Sequence, residues 1–217
     1  MRLFSTLVVA LALFLGSIVD ANAKGSAGHN PGLALYHEAV RHYQNNDYSQ
    51  AFEDYEESAH WGNKLSQFNL GTMYYNGVHV SRDSARAWAW IKLAAERGYP
   101  QLVEMEEAIW TELDDTQRAR AERVFESELQ PEYGDDVALP RMERFVNRRY
   151  RSATGSRLGG VAGSNPVFVQ PRDQIQSTGD VYYGEDNWRV ERWLEQEAAW
   201  FNDMMNADEP VTRFEDQ

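Results

Sequence analysis

The stretch SQFNLGTMYYNGVHVSRDSARAWAWIKLAAERG, from Ser66 to Gly98, decides the fold because it contains two helical patterns joined by a glycine-containing turn. Apolar residues recur at helical intervals in each arm, which predicts two amphipathic helices. These residues are Leu65, Phe68, Met73 and Tyr74 in the first arm, and Ala87, Trp90, Ile91, Ala94 and Ala95 in the second. The stretch therefore predicts a pair of packed helices.

Glycines mark where these arms approach each other and where they end. Gly71 lies inside the first arm, where glycine costs about 1 kcal/mol relative to alanine, so we expect another backbone to pass too close for a Cβ atom. Gly77 and Gly98 follow the two arms, where left-handed backbone is common and glycine adopts it at low cost. Either Ser81 or Asp83 is expected to cap or electrostatically complement the second arm.

This pattern resembles the Sel1-like repeat, a relative of the tetratricopeptide repeat, whose motif reads A-x-Y-x-L-G-x-x-Y-x-x-G-x-G-V-x-x-D-x-x-x-A-x-x-W-x-x-x-A-A-x-x-G. The chain follows the motif without a gap, with Ser66 for alanine, Phe68 for tyrosine and His79 for the second turn glycine. We therefore expect His79 to adopt the backbone angles of a glycine. The matching residues are Leu70, Gly71, Tyr74, Gly77, Val80, Asp83, Ala87, Trp90, Ala94, Ala95 and Gly98.

An earlier helix pair is predicted by apolar spacing from Leu33 to Tyr43 and from Tyr48 to Ala59, on either side of an Asn-Asn-Asp turn. An internal repeat supports it, since Ala51, Tyr55, Ala59 and Gly62 recur 36 positions later as Ala87, Ile91, Ala95 and Gly98. Such a period is typical of helix-turn-helix solenoids. We predict an all-α solenoid over residues 33–130, in which the helices of Leu102 to Leu129, with Asp114 or Asp115 as an N-cap, cover its stacking face.

Residues 1–23 predict a cleavable signal peptide. Arg2 supplies a positive charge, Leu7 to Val19 is a nearly uncharged apolar run, and Ala21-Asn22-Ala23 matches the small-x-small cleavage rule. A membrane anchor is the less favoured interpretation, because the run is shorter than the ~20 residues of a spanning helix. We expect cleavage after Ala23, a flexible lead-in over residues 24–32, and a periplasmic or secreted protein without a transmembrane segment.

Composition narrows the class of protein. The chain has 34 acidic and 21 basic residues and a formal net charge of −13, which argues against nucleic acid as a partner. It has no cysteine, so disulfide bonds and a lipoprotein anchor are excluded. The fold must therefore be held together by burial of its side chains.

Residues 131–217 predict a C-terminal extension of different character. Its predicted parts are a linker at Pro131 to Asp136, a basic helix at Arg141 to Arg157, a glycine-rich loop at Gly155 to Pro166, short strands at Val167 to Gln170 and Val181 to Tyr183, and a docking helix at Asn187 to Met205. Val190, Leu194, Ala198, Phe201 and Met205 form the predicted apolar side of the docking helix, with Trp193, Trp200 and Met204 beside it.

Three arginines, Arg144, Arg148 and Arg151, share one face of the predicted basic helix by their spacing of three and four residues. In one interpretation they pair with acidic helices such as Glu104 to Glu107 and clamp the extension onto the solenoid. In the other they bind an anionic partner, which could be a phospholipid head group, a lipopolysaccharide phosphate or an acidic protein.

Patterns of catalytic or metal-binding residues are weak. The histidines lack metal-ligand spacing, the glycine-rich loop lacks the lysine of a P-loop, and G-x-S-x-G does not occur. The histidines are His29, His37, His42, His60 and His79. We therefore predict a non-enzymatic protein without a cofactor or a metal.

Surface residues of the first helix in each repeat are the remaining candidates, because solenoids bind partners on a concave face built from those helices. They are His37, Arg41 and Gln44 in the earlier unit and Gln67, Tyr75 and Asn76 in the central one. The resemblance implies protein–protein binding, and we expect an adaptor for another protein of the bacterial envelope.

Two other functions stay open. One is an envelope hydrolase acting on peptidoglycan or β-lactams, by analogy with a cysteine-rich exported branch of the family whose disulfides this chain cannot form. The other is a protein that binds anionic lipid or glycan through the arginine face.

Overall fold

The computed structural model describes residues 30–153, 166–168, 176–178 and 189–206, and the side chains of 30–148, 189–199 and 201. The predicted signal peptide, nearly all of the lead-in, most of the glycine-rich loop and the predicted strand at Val181 to Tyr183 lie outside these residues. The helices are α1 (Pro31–Gln44), α2 (Tyr48–His60), α3 (Lys64–Asn76), α4 (Ser84–Ala94), α5 (Pro100–Glu112), α6 (Asp115–Val124), α7 (Gln130–Tyr133), α8 (Asp135–Ala153) and α9 (Val190–Asn206).

Two short helical turns of other types link these helices. A 3-10 turn, Ala95–Arg97, extends α4, and a π-helical turn, Phe125–Leu129, joins α6 to α7. A ladder of two three-residue strands, Pro166–Phe168 and Gln176–Thr178, pairs antiparallel with Val167 opposite Ser177. The first strand overlaps the one predicted at Val167 to Gln170, and the second was not predicted. The prediction of an all-α fold built from helix-turn-helix repeats is confirmed.

Short polar side chains begin the helices by accepting hydrogen bonds from backbone N–H groups that have no partner within the helix. Asp83 Oδ1 accepts from the backbone N–H of Arg86 at 3.1 Å, which selects Asp83 over Ser81 as the cap of α4. Asp114 and Gln117 form a reciprocal capping box at the start of α6. The capping expected at Asp83 and at Asp114 is therefore confirmed.

Left-handed backbone occurs where the repeat pattern requires it. Gly77 and Gly98 have φ values of 70° and 72°, and His79 has a φ of 63°. The ring of His79 lies 5.5 Å from the ring of Phe52, a contact that a glycine could not make. The expectation that His79 takes glycine-like angles is confirmed.

Gly71 marks the closest approach of α3 and α4. A Cβ atom there would lie 2.7 Å from Ile91 Cδ1 and 3.2 Å from the carbonyl oxygen of Ala87. The crossing is therefore close enough to exclude a side chain, and the atoms nearest to the missing Cβ belong mostly to Ile91.

Helix α3 differs from the amphipathic helix that its pattern predicts, because nearly all of its side chains are buried. It packs between α2 and α4, and α7 lies over its first turns. Its buried residues include Lys64, Ser66, Gln67, Asn69 and Thr72 as well as the apolar ones. The prediction of an amphipathic first arm was wrong, since a third side of this helix is covered by the C-terminal part of the chain.

The predicted linker at Pro131 to Asp136 is helical on both sides of Gly134. Pro131 occupies the first turn of α7, where backbone N–H groups have no partner within the helix, so proline costs no hydrogen bond there. Helix α8 continues through Pro140. A linker was the wrong prediction, because composition alone does not show that proline sits at a helix start.

Helix α9 docks on the repeat as predicted, over Val190–Asn206 instead of Asn187 to Met205. Phe201 joins the main core and stacks on Tyr99 with ring centroids 4.2 Å apart. Val190 and Trp193 form a second apolar cluster with Met142 and Val146 of α8. Trp193 is thus buried, not merely flanking, and the C-terminal helices pack against the repeat.

Candidate functional site

Five charged residues from the repeat and from the C-terminal helices meet in one cluster, which we call the charge cluster: Lys64, Glu96, Arg97, Asp135 and Glu197. The side chain of Lys64 is 0% exposed, and its Nζ lies 2.8 Å from Glu96 Oε2 and 3.0 Å from Asp135 Oδ1. The same Nζ donates to the carbonyl oxygen of Leu93 at 3.0 Å. All three hydrogens of the buried ammonium group therefore have an acceptor.

Arg97 is the second cation of the charge cluster and binds Asp135 and Glu197. Its Nε and Nη2 donate to the two carboxylate oxygens of Asp135, each at 2.9 Å, and its Nη1 donates to Glu197. Nη2 also donates to the carbonyl oxygen of Gly62 at 2.9 Å. One guanidinium group thus connects the end of α2 with α8 and α9.

The charge cluster favours the ionised form of Asp135. Burial raises the pKa of Asp135, but hydrogen bonds from Arg97 and the charge of Lys64 outweigh burial and bring the pKa below its ordinary value. Burial disfavours the charged guanidinium of Arg97, and the carboxylates of Glu197 and Asp135 reverse this and raise its pKa. The cluster therefore attaches α8 and α9 to the repeat by charge-assisted hydrogen bonds.

Sequence reasoning missed the charge cluster. Lys64 lies two residues before the first motif position, and Glu96 and Arg97 occupy variable positions of the motif, so no local pattern distinguishes them from exposed charges. Asp135 and Glu197 lie in the extension, and their distance in sequence conceals the contact. The sole available signal was that Lys64 and Arg97 are isolated cations with an excess of acidic residues near them in the sequence.

Two of the predicted partner-binding residues are buried, so their prediction as surface residues was wrong. Gln67 is 0% exposed and donates from Nε2 to the carbonyl oxygen of Tyr133 at 3.1 Å. Tyr75 is buried and donates from its hydroxyl to Glu112 Oε2 at 2.7 Å. The chain itself occupies the place that Gln67 was expected to offer to a partner.

The other predicted residues of the helix faces are reached by solvent. Arg41 is 62% exposed at its side chain, with Glu38 at 3.9 Å, and Gln44 and Asn76 are exposed. His37 is partly buried, its Nδ1 has no hydrogen-bond partner among the described residues, and burial lowers its pKa. Binding by these four residues stays a prediction.

Helix α8 places Arg144 and Arg148 in solvent. Within the described side chains neither forms an ion pair with Glu104 to Glu107 or with another acid; Glu106 instead pairs with Lys92 at 3.2 Å. The predicted clamp through these two arginines was therefore wrong, and the side chain of Arg151 lies outside the described residues. Within α8, Arg141 does fasten the helix, because it donates to the carbonyl oxygens of His60 and Glu132.

An open groove of about 470 Å³ lies where the loop before α4 meets the end of α5 and the start of α6. Its carboxylates are already engaged: Asp83 pairs with both terminal nitrogens of Arg120, and Glu112 accepts from Tyr75. No histidine is among the described residues that line it. The groove offers charged side chains to a partner, and it holds no pairing of a nucleophile with a base.

Two kinds of feature are absent from the part of the chain that the structure describes. No group of three or more His, Asp or Glu side chains there is arranged to hold a metal ion. No helix in that part of the chain has the length and apolar character needed to cross a membrane.

Comparison with known proteins identifies one family. Residues 64–99 match the model of the Sel1 repeat, a span that begins at Lys64 and ends at Tyr99 and so contains α3, α4 and the turn between them. This segment of the chain is therefore similar to a Sel1 repeat, and Sel1 repeats generally mediate protein–protein interaction. Searches among curated proteins and among solved structures gave no match.

Proposed function

We propose that this chain is a non-enzymatic protein–protein interaction module of the bacterial cell envelope. The observation that carries the proposal is the match of residues 64–99 to the Sel1 repeat, because repeats of this kind generally bind proteins. The apolar run and cleavage pattern of residues 1–23 support export to the periplasm. The partner is then another envelope protein.

The outer face of α1 is the partner surface that the geometry favours. Helix α3 is largely enclosed by the chain itself, so most of its side chains are not accessible, whereas α1 lies at the end of the described array. Tyr36, Ala39 and Val40 face the core, which leaves Arg41 on the opposite side and Gln44 exposed at the C-terminal end of the helix. Asn76 adds an exposed position at the end of α3.

Site-specific photocrosslinking in cells tests this proposal. A photoreactive phenylalanine analogue replaces Arg41, and a matched control carries it at Glu122, an exposed position on α6. We expect one dominant crosslinked envelope protein from position 41 and none from position 122, identified by mass spectrometry. Equal crosslinking from both positions, or none from either, would contradict the proposed surface.

Export has its own test. Intact mass measurement of the protein recovered from the periplasm should give a chain that begins at Lys24. A full-length chain recovered from the cytoplasm would contradict the envelope part of the proposal and leave the interaction part standing.

A further inference from the structure

Two exposed arginines on α8 form what we call the arginine row, Arg144 and Arg148. They lie four residues apart on one helix face, which places their Cβ atoms about 6 Å apart. Met142 and Val146, on another side of α8, are buried against α9, so packing fixes the direction in which the row points. The backbone of α8 is helical to Ala153.

Contacts other than the arginine row fasten α8 to the repeat. Helix α8 is fastened by Arg141 to the end of α2, and by Asp135 to Lys64 and Arg97. Among the described side chains, Arg144 and Arg148 form no hydrogen bond or ion pair, although the chain carries 34 acidic residues. Within the described residues, two neighbouring guanidinium groups are thus unpaired in a protein whose net charge is −13.

The chemistry of the row fits carboxylates. Guanidinium groups bind carboxylates through two parallel hydrogen bonds, and neighbouring arginines on one helix suit acidic side chains spaced along a partner helix or strand. A membrane surface is disfavoured, because an extended anionic plane would also repel the rest of a protein whose net charge is −13. A short acidic segment is repelled less, because it needs to contact only the row.

We propose that the arginine row binds an acidic segment of a partner protein. This inference rests on the proposed function as an interaction module and names the chemistry of the partner. The row and the outer face of α1 are separate surfaces, so each can be tested without the other.

The test is a titration of the full mature chain with a labelled helical peptide that carries glutamates at positions i and i+4, followed by fluorescence anisotropy. A peptide with glutamine at those positions is the matched probe. We expect the protein to bind the glutamate peptide more tightly, and the double variant Arg144→Gln/Arg148→Gln to weaken this binding about tenfold. Raising the salt from about 50 to about 500 mM should weaken the wild-type complex.

The control variant is Arg82→Gln/Arg123→Gln, which removes two exposed arginines elsewhere and changes the net charge equally. We expect it to bind within about twofold of the wild type, since screening limits the effect of distant charges. Equal weakening by both double variants, or no preference for the glutamate peptide, would overturn the inference. Binding of phosphatidylglycerol vesicles that needs the row, or self-association that the row variant abolishes, would overturn it as well.

Failure of this inference and failure of the proposed function give different results. If the photocrosslink from position 41 is found and the row variant binds the peptide normally, the interaction module stands and the row has no such role. If the crosslink is absent and the peptide still requires the row, the α1 surface is wrong and the row is the binding surface.

Discussion

The ammonium group of Lys64 lies 3.0 Å from the carboxylate of Asp135, although one residue begins the Sel1-like repeat and the other begins a helix of the C-terminal extension. Lys64 has no exposed surface. The carboxylate of Asp135 also accepts hydrogen bonds from Nε and Nη2 of Arg97. A buried cation whose partners come from both segments ties them together, because separating them would leave it without a counter-charge.

Removing the buried cation should destabilise the whole fold. Lys64→Met leaves Glu96 and Asp135 without one of their cations, and we expect the free energy of unfolding to fall by about 3 kcal/mol. Urea unfolding followed by circular dichroism measures the change. Arg41→Met is the control, since its pair with Glu38 is long and exposed and its loss should change stability by less than about 0.5 kcal/mol. Equal effects of the two substitutions would show that Lys64 is not a critical contact.

The contribution of Asp135 should depend on pH in a defined direction. Its pKa is lower in the folded protein than in the unfolded chain, so ionisation of Asp135 favours folding. That contribution is complete above the unfolded pKa of about 3.9 and is lost as the pH falls through the folded value. The destabilisation caused by Asp135→Asn should therefore be largest near neutral pH and shrink below about pH 4.

Urea unfolding of wild type and Asp135→Asn between neutral and acid pH checks this dependence. Asp136→Asn, an exposed neighbour on α8, is the matched control and should show a small difference at every pH. A destabilisation by Asp135→Asn that stays constant or grows as the pH falls would contradict the assigned pKa shift.

A methyl group at Gly71 should destabilise the helix crossing. Gly71→Ala gains helix propensity, but its Cβ would meet two atoms of Ile91 and a backbone oxygen of α4, and we expect a net loss of about 1–2 kcal/mol. Ile91→Val removes the nearest of these atoms, Cδ1. The double variant should therefore be more stable than the sum of the single effects predicts, as a double-mutant cycle measures.

Gly98→Ala is the control for Gly71→Ala, because Gly98 lies away from the crossing of α3 and α4. Nothing lies within 4 Å of its Cβ position, so its expected loss of about 1 kcal/mol comes from the left-handed backbone alone. Ile91→Val should not relieve it. Coupling of Ile91 to Gly98 as strong as its coupling to Gly71 would argue against a steric origin.

Local signals predicted the repeat well because they act over a few residues. Gly77, Gly98 and His79 follow from the turn positions of the motif, and Asp83 follows from the chemistry of helix caps. The burial of Gln67 could not be predicted, because it depends on Tyr133, which lies far away in the sequence.

The extension was harder to predict for the same physical reason. Pro131 and Gly134 suggested a linker, yet a proline at a helix start and one extended glycine are compatible with two consecutive helices. Arg144 and Arg148, whose spacing predicted ion pairs with the solenoid, are exposed. Arg97 of the repeat instead attaches the C-terminal helices, through Glu197. Which charges pair across segments depends on the packing of α8 and α9, and spacing within one helix does not contain that information.

Hydrogen exchange of the full chain, compared with that of Phe201→Ala, tests most directly whether the repeat and the C-terminal helices are one cooperative unit. Phe201 is 2% exposed and stacks on Tyr99, so its truncation weakens the docking of α9. We predict that amide exchange accelerates in both α9 and α3, because the charge cluster and α7 link the opening of one to the other. Faster exchange in α9 with unchanged protection in α3 would contradict this account and leave the extension as a separate appendage.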